Sequence, residues 1–177
     1  MEKTLRIVLP IVILGLIYLV YDSIARPIRE QKKIDFIEGK IKTRLLEIKA
    51  AQFAYRDQKG TFANNFDSLT NALKDEKWRI IKTIGDPNSD SASEVSYDTL
   101  YVSLYEHAFP MKDVNLDSLA YVPMNPNGAK FEIEANIISI NGTNVPVFQV
   151  TDPEPINKAR ALTLGDLSQP VYSGNWE

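Results

Sequence analysis

Ile7-Val-Leu-Pro-Ile-Val-Ile-Leu-Gly-Leu-Ile-Tyr-Leu-Val-Tyr21 is an uncharged run of 15 residues, and a charged, amphipathic stretch from Ile28 to Gln58 follows it closely. A membrane-spanning helix needs about 20 apolar residues, with a range of roughly 17–25. Adding Asp22-Ser-Ile-Ala25 extends this run to 19 residues. The reading is a short membrane anchor over residues 1–25. Ile7, Val12 and Leu16 would lie in hydrocarbon and Tyr18 and Tyr21 at the interface, where aromatic side chains concentrate. Pro10 is placed near the first turn, where a missing N–H does least harm. A cleaved secretory signal is the rival reading, with Lys3 and Arg6 before the apolar core and Ser23-Ile24-Ala25 as the processing site. Either reading sends the remainder out of the cytoplasm; an anchored chain with its bulk in the cytoplasm is the third option. The expected location is the inner membrane, crossed once, with the C-terminal head in the periplasm or outside the cell. Basic residues flank the run on both sides (Lys3 and Arg6, then Arg26 and Arg29), so charge does not fix orientation.

Beyond the run, Ile34, Ile41, Ile48 and Tyr55 recur every seven residues, and Ile37, Leu45 and Gln52 fill the intervening steps. This spacing predicts an amphipathic helix over 26–58 with a narrow apolar seam, continuing the apolar segment before it as one long N-terminal helix. Residues 28–58 would extend about 46 Å at 1.5 Å per residue, more than a small head covers. Ile34, Ile37, Ile41 and Leu45 are therefore expected to meet partner subunits, while Leu46, Ile48 and Tyr55 hold the head.

Charge is divided along the chain. Residues 1–49 carry ten Lys/Arg and six Asp/Glu, net +4; residues 50–177 carry ten and seventeen, net −7, which gives the overall −3. An acidic head offers no basic patch from which a nucleic acid could release counterions. The chain has no cysteine, which excludes disulfides, a thiol nucleophile, a lipoprotein anchor and Cys-based zinc sites.

Ala51-Gln52-Phe-Ala-Tyr55-Arg-Asp-Gln-Lys-Gly60-Thr61-Phe62 leads into a short segment with Phe66, Leu69 and Leu73 on one face. Gly60 ends the long helix because it adopts positive φ without penalty. Asn64 or Asn65 caps a second helix over 66–74. The pattern Ala-Gln-x-x-Tyr-x-x-x-x-Gly-Thr-aromatic, followed by a Leu-containing helix, resembles type IV pilins and type II secretion pseudopilins over about residues 5–73. That resemblance implies an antiparallel sheet laid on the amphipathic half of a long helix. The chain departs from the family at its start: no Gly precedes a Phe-Thr-Leu segment, and no glutamate falls within 7–21. What carries over is the architecture, not the processing.

The head, 59–177, is expected to be an α+β unit with strands at Trp78–Ile84, Tyr97–Tyr105, Leu119–Val122, Lys130–Ile140 and Val145–Val150. Asn127-Gly128 and Asn141-Gly142 mark turns, the latter a hairpin. Pro146 suggests an edge position or a strand start. Ile156–Ala161 reads as a short helix, and Trp176 as a docking residue in an extended tail.

Chemistry-bearing residues are sparse. His107 is the only histidine and has no Gly-x-Ser-x-Gly elbow to serve, which favours a loop or strand-end role over a catalytic one. Glu132 and Glu134 share a strand face that reads as solvated. Asp86-x-Asn88-x-Asp90 begins like an EF-hand, but Ser91 replaces the required Gly and Tyr97 the required Glu, leaving only a looser calcium site as an alternative. Four Asp-(Ser/Thr)-aliphatic triplets place Ser68, Ser91, Thr99 and Ser118 in a pattern similar to the acceptor motif of a periplasmic O-glycosylation system of some Gram-negative bacteria. The expectation is a non-enzymatic, pilin-like subunit or assembly factor of an envelope filament or secretion apparatus. It would contact the membrane and copies of itself or related envelope proteins, with no cofactor, metal, nucleic acid or small-molecule substrate. The alternative is an anchored or secreted binding module that does not polymerise.

Overall fold

One helix, α1, runs Glu2–Lys59. The computed structural model describes residues 2–84 and 96–177 and has an α+β fold. Pro10 and Pro27 both lie inside α1. Pro10 is eight residues past the helix start rather than in its first turn, and α1 continues through Arg26-Pro27, so the apolar run and the amphipathic stretch are one long helix, as the sequence reading expects. The chain divides into two compact units, Met1–Lys40 and Ile41–Glu177, so the division falls within α1.

In the second unit, Gly60 stops α1 at φ 79° and its N–H donates to Arg56 O. Asn65 is the cap of α2, Phe66–Asp75; its side-chain oxygen accepts from Ser68 N–H at 2.7 Å. Leu69, Ala72 and Leu73 of α2 are buried. The strand β1, Lys77–Ile84, pairs antiparallel with β2, Ser96–Ser103, as a two-stranded ribbon. The predicted strand to Tyr105 is shorter than expected. Ser103 accepts from Glu106 N–H while the Glu106 carboxylate accepts from Ser103 N–H, and this reciprocal cap starts α3, Leu104–Ala108.

The second sheet has the order β3–β4–β5, with β3 Glu132–Ile140, β4 Thr143–Thr151 and β5 Thr163–Gly165, all antiparallel. Asn141 and Gly142, at φ 51° and 79°, make the hairpin turn between β3 and β4. Leu119–Val122 is not a strand; only the Tyr121–Lys130 bridge forms there. Pro146 sits in the central strand, contrary to the edge expectation. It is tolerated because β5 reaches only Gln149–Thr151, and the Pro146 carbonyl instead accepts the Tyr172 hydroxyl at 2.7 Å. Ile156–Ala161 is not helical: the Asn157 side chain accepts from Ala159 N–H and holds a turn. The tail folds back on the head, with Asn175 bonded to Thr163 on both sides and a Leu164–Gly174 bridge.

The core of this unit joins Ile41, Leu45, Ile48, Ala51 and Ala54 of α1 to Leu104, Leu119, Phe131, Val147, Phe148, Val150 and Leu164. Phe53, Phe62, Phe148 and Tyr172 form a four-ring cluster with centroid spacings of 4.6–5.9 Å. The Arg56 guanidinium lies 4.4 Å over the Phe53 ring.

Candidate functional site

The first unit shows an apolar surface. Val12, Ile13, Leu14, Leu16, Ile17, Tyr18, Leu19, Val20, Tyr21 and Ile24 are all 47–68 % exposed. Leu16 to Tyr21 are consecutive, so their side chains point in every direction around the helix axis. A helix apolar on all sides belongs in lipid or among neighbouring helices. The exposed run also exceeds the few hundred Å², roughly, that monomeric soluble proteins leave as one patch. Asp22 closes the run and accepts from Arg26 at 2.9 Å and Arg29 at 3.2 Å, so its charge is met locally. Ile7 lies outside the residues whose side chains are described. Among the described residues, no helix is long and apolar enough to cross a membrane.

The seam residues separate between the units. Ile34 and Ile37 belong to the first. Ile41, Leu45 and Ile48 are buried in the core of the second, with Tyr55 half-buried beside them. Ile41 and Leu45 are thus covered by the chain's own head, which corrects their expected role as partner contacts. Leu46, expected to hold the head, is 47 % exposed. The steps 41, 45, 48 and 52 follow one helical face, and Leu46 is turned about 100° from Leu45.

Gln52 completes that face. It is fully buried, donates to Ala63 O at 2.8 Å and accepts from Ala63 N–H at 2.9 Å. The Ala-Gln…Gly-Thr-aromatic stretch is therefore a structural device. Gly60 turns the chain, Gln52 holds the returning backbone, and Phe62 enters the aromatic cluster.

His107 stacks on Trp78 at 4.5 Å, and its Nε2 is 3.8 Å from the Asp57 carboxylate. Among the described residues, no group of three or more His, Cys, Asp and Glu is placed to hold a metal. Two open grooves mark the head. One of about 470 Å³ lies between Tyr55, Thr61, Asn64 and Ala135–Ile137; another of about 240 Å³ lies between Leu46, Ala50 and Phe109–Pro110. Neither lining contains a histidine or a carboxylate pair. Asp86, Asn88, Asp90 and Ser91 fall outside the described residues. Of the other proposed glycan acceptors, Ser68 is half-buried and Thr99 is exposed opposite Ile81. The Ser118 hydroxyl accepts from Arg44 and donates to Asn115 O.

Sequence reasoning missed the Gln52 clamp, although the glutamine stood in the seam. It also missed Asp152, a buried carboxylate. Its Oδ1 accepts from Glu154 N–H, and its Oδ2 has no partner among the described residues. Burial pushes this carboxyl above the usual range. Glu154 is held below the usual range by Asn127 and Asn125, whose side-chain amides donate to it. No protein-family model, no curated protein and no solved structure matches the chain.

Proposed function

We propose that the chain is a non-enzymatic, pilin-like envelope protein. Its N-terminal helix anchors it in the inner membrane, and its 41–177 head acts outside the cytoplasm as a subunit or assembly factor of a filament or secretion apparatus. One observation carries this reading: the all-round exposure of Val12 to Tyr21 on α1. Burying such a surface yields about 25 cal/mol per Å², a gain available only from lipid or from other helices. The Asp22–Arg26–Arg29 cluster then lies at the polar end of the apolar run, where side chains can reach headgroups.

The test is membrane partition of the full-length chain. Wild type should stay in the pellet after alkaline carbonate extraction, and Leu16→Lys together with Val20→Lys should move it to the supernatant. Intact mass of the extracted protein reports whether residues 1–25 remain. A soluble wild type, or a mature chain that begins near Arg26, would overturn the anchor. Because the chain has no cysteine, a single Ile28→Cys substitution reports self-association directly by thiol crosslinking.

A further inference from the structure

Two of the head's outer strands, β1 and β3, carry charges of opposite sign. β1 ends the two-stranded ribbon, and β3 ends the three-stranded sheet. Among the described residues, no backbone hydrogen bond reaches the outer edge of either strand from another segment. On β1, Lys77 and Arg79 alternate onto one face, beside exposed Ile81 and opposite exposed Tyr101. On β3, Glu132 and Glu134 alternate onto one face. All four charged side chains are exposed and make no ion pair among the described residues. Some other charges of the head are paired, as in Lys59–Glu76, Lys74–Asp117 and Lys112–Glu47.

Exposed edges are ready templates for another strand. The β3 edge also has space beside it. Ala135, Asn136 and Ile137 line the 470 Å³ groove together. Consecutive strand residues point to opposite faces, so a groove that touches all three meets the strand at its edge. The Ile137 N–H is taken up by its own neighbour's side chain, Asn136 Oδ1, rather than by a strand.

We propose that β1 of one copy adds to the β3 edge of a second copy. Charge selects this pairing. A β1–β1 contact would set Lys77 and Arg79 against their like, and a β3–β3 contact would set glutamates against glutamates. Of the pairings these two strands can make, β1 against β3 brings opposite charges together, with the same two-residue spacing on each side. The strands match in length, eight residues and nine. Main-chain hydrogen bonds supply the affinity in such additions, and side chains the specificity. The contact uses two different surfaces, so it propagates from copy to copy instead of closing as a symmetric dimer. It rests on the reading of the chain as an assembling subunit and names the surface of assembly.

The test is sedimentation of the full-length chain in detergent. Reversing β1 (Lys77→Glu with Arg79→Glu) or β3 (Glu132→Lys with Glu134→Lys) should weaken self-association by roughly tenfold or more, since each reversal turns two attractions into repulsions. An equimolar mixture of the two variants should associate as wild type does, because each then meets a complementary edge. Rising salt should weaken the wild-type contact. A wild type that stays monomeric, association indifferent to both reversals, or a mixture that fails to recover would overturn the proposal. Carbonate extraction of the same variants reads the anchor separately, so loss of strand pairing and loss of membrane binding are distinguishable.

Discussion

The Gln52 side chain and the Ala63 backbone exchange two hydrogen bonds, N–H to Oε1 at 2.9 Å and Nε2 to carbonyl at 2.8 Å. The glutamine amide stands where a neighbouring strand's peptide would stand. It satisfies a buried donor and a buried acceptor on a segment that has no strand partner among the described residues. Ala63 is buried, so water cannot replace the amide.

Gln52→Leu keeps much of the volume and leaves both Ala63 groups unpaired. The expected loss is about 2–4 kcal/mol, the cost of two buried backbone groups without partners. Denaturant unfolding of the intact chain in detergent, followed by circular dichroism, measures it. A loss below about 0.5 kcal/mol would show that solvent reaches Ala63.

Two glycines with nearly the same φ should respond differently to alanine. Gly60 (φ 79°) faces open space, so Gly60→Ala meets only the backbone penalty of the left-handed region, about 1–2 kcal/mol. Gly165 (φ 81°) lies against β4, where an added Cβ would come within 2.2 Å of Phe148 O. That oxygen belongs to backbone in the central strand and cannot swing aside. Gly165→Ala should therefore cost clearly more than Gly60→Ala in the same unfolding assay. Equal costs would mean that β5 detaches without penalty.

Local backbone signals were legible and register over distance was not. Gly60, Asn65 and Asn141-Gly142 each act within four residues, and each does what its residue type dictates. Ser103 and Glu106 form a helix-start signature too, which the strand reading passed over. β5 is three residues long and lies between β4 and the returning Gly174 and Asn175, which pair with it from about ten residues later. Nothing local announces such a strand. The seam gave the right helix, but its spacing could not tell cover by the head from cover by a partner. That distinction depends on where the sheets pack. The opposite charges of β1 and β3 were visible in sequence, yet their openness follows from strand order.

Asp152 gives the head a pH dependence of definite sign. Burial raises its folded pKa above the unfolded carboxylate value of about 3.9, against the pull of the Glu154 N–H, with the Glu154 charge adding to the rise. The native state then holds a proton that the unfolded chain has released. Stability from this group is lost as pH climbs from about 4 through the folded pKa, and the full penalty remains above it. Asp152→Asn keeps an oxygen for Glu154 N–H and cannot ionise. The stability of wild type relative to this variant should fall as pH rises from about 3.5 to 7. A constant difference, from melting temperatures at matched pH, would show that the carboxyl is not desolvated.

Leu45 and Leu46 set the phase of α1 against the head. Leu45 is fully buried and Leu46 is 47 % exposed beside Phe109 and Pro110. Leu45→Ala should cost about 2–5 kcal/mol through lost burial and a residual cavity. Leu46→Ala should stay within about 1 kcal/mol, since much of its surface already meets solvent. Measured in one assay, the pair discriminates sharply: a helix rotated by one residue would exchange the two costs. The outcome also bears on assembly. If Leu45 carries head stability, variants there report folding, and partner contacts must be sought at exposed positions such as Ile28 and Phe36. Crosslinking from cysteines at those two positions should then proceed without loss of head stability. Crosslinking only in variants that unfold the head would place the contact inside the core instead.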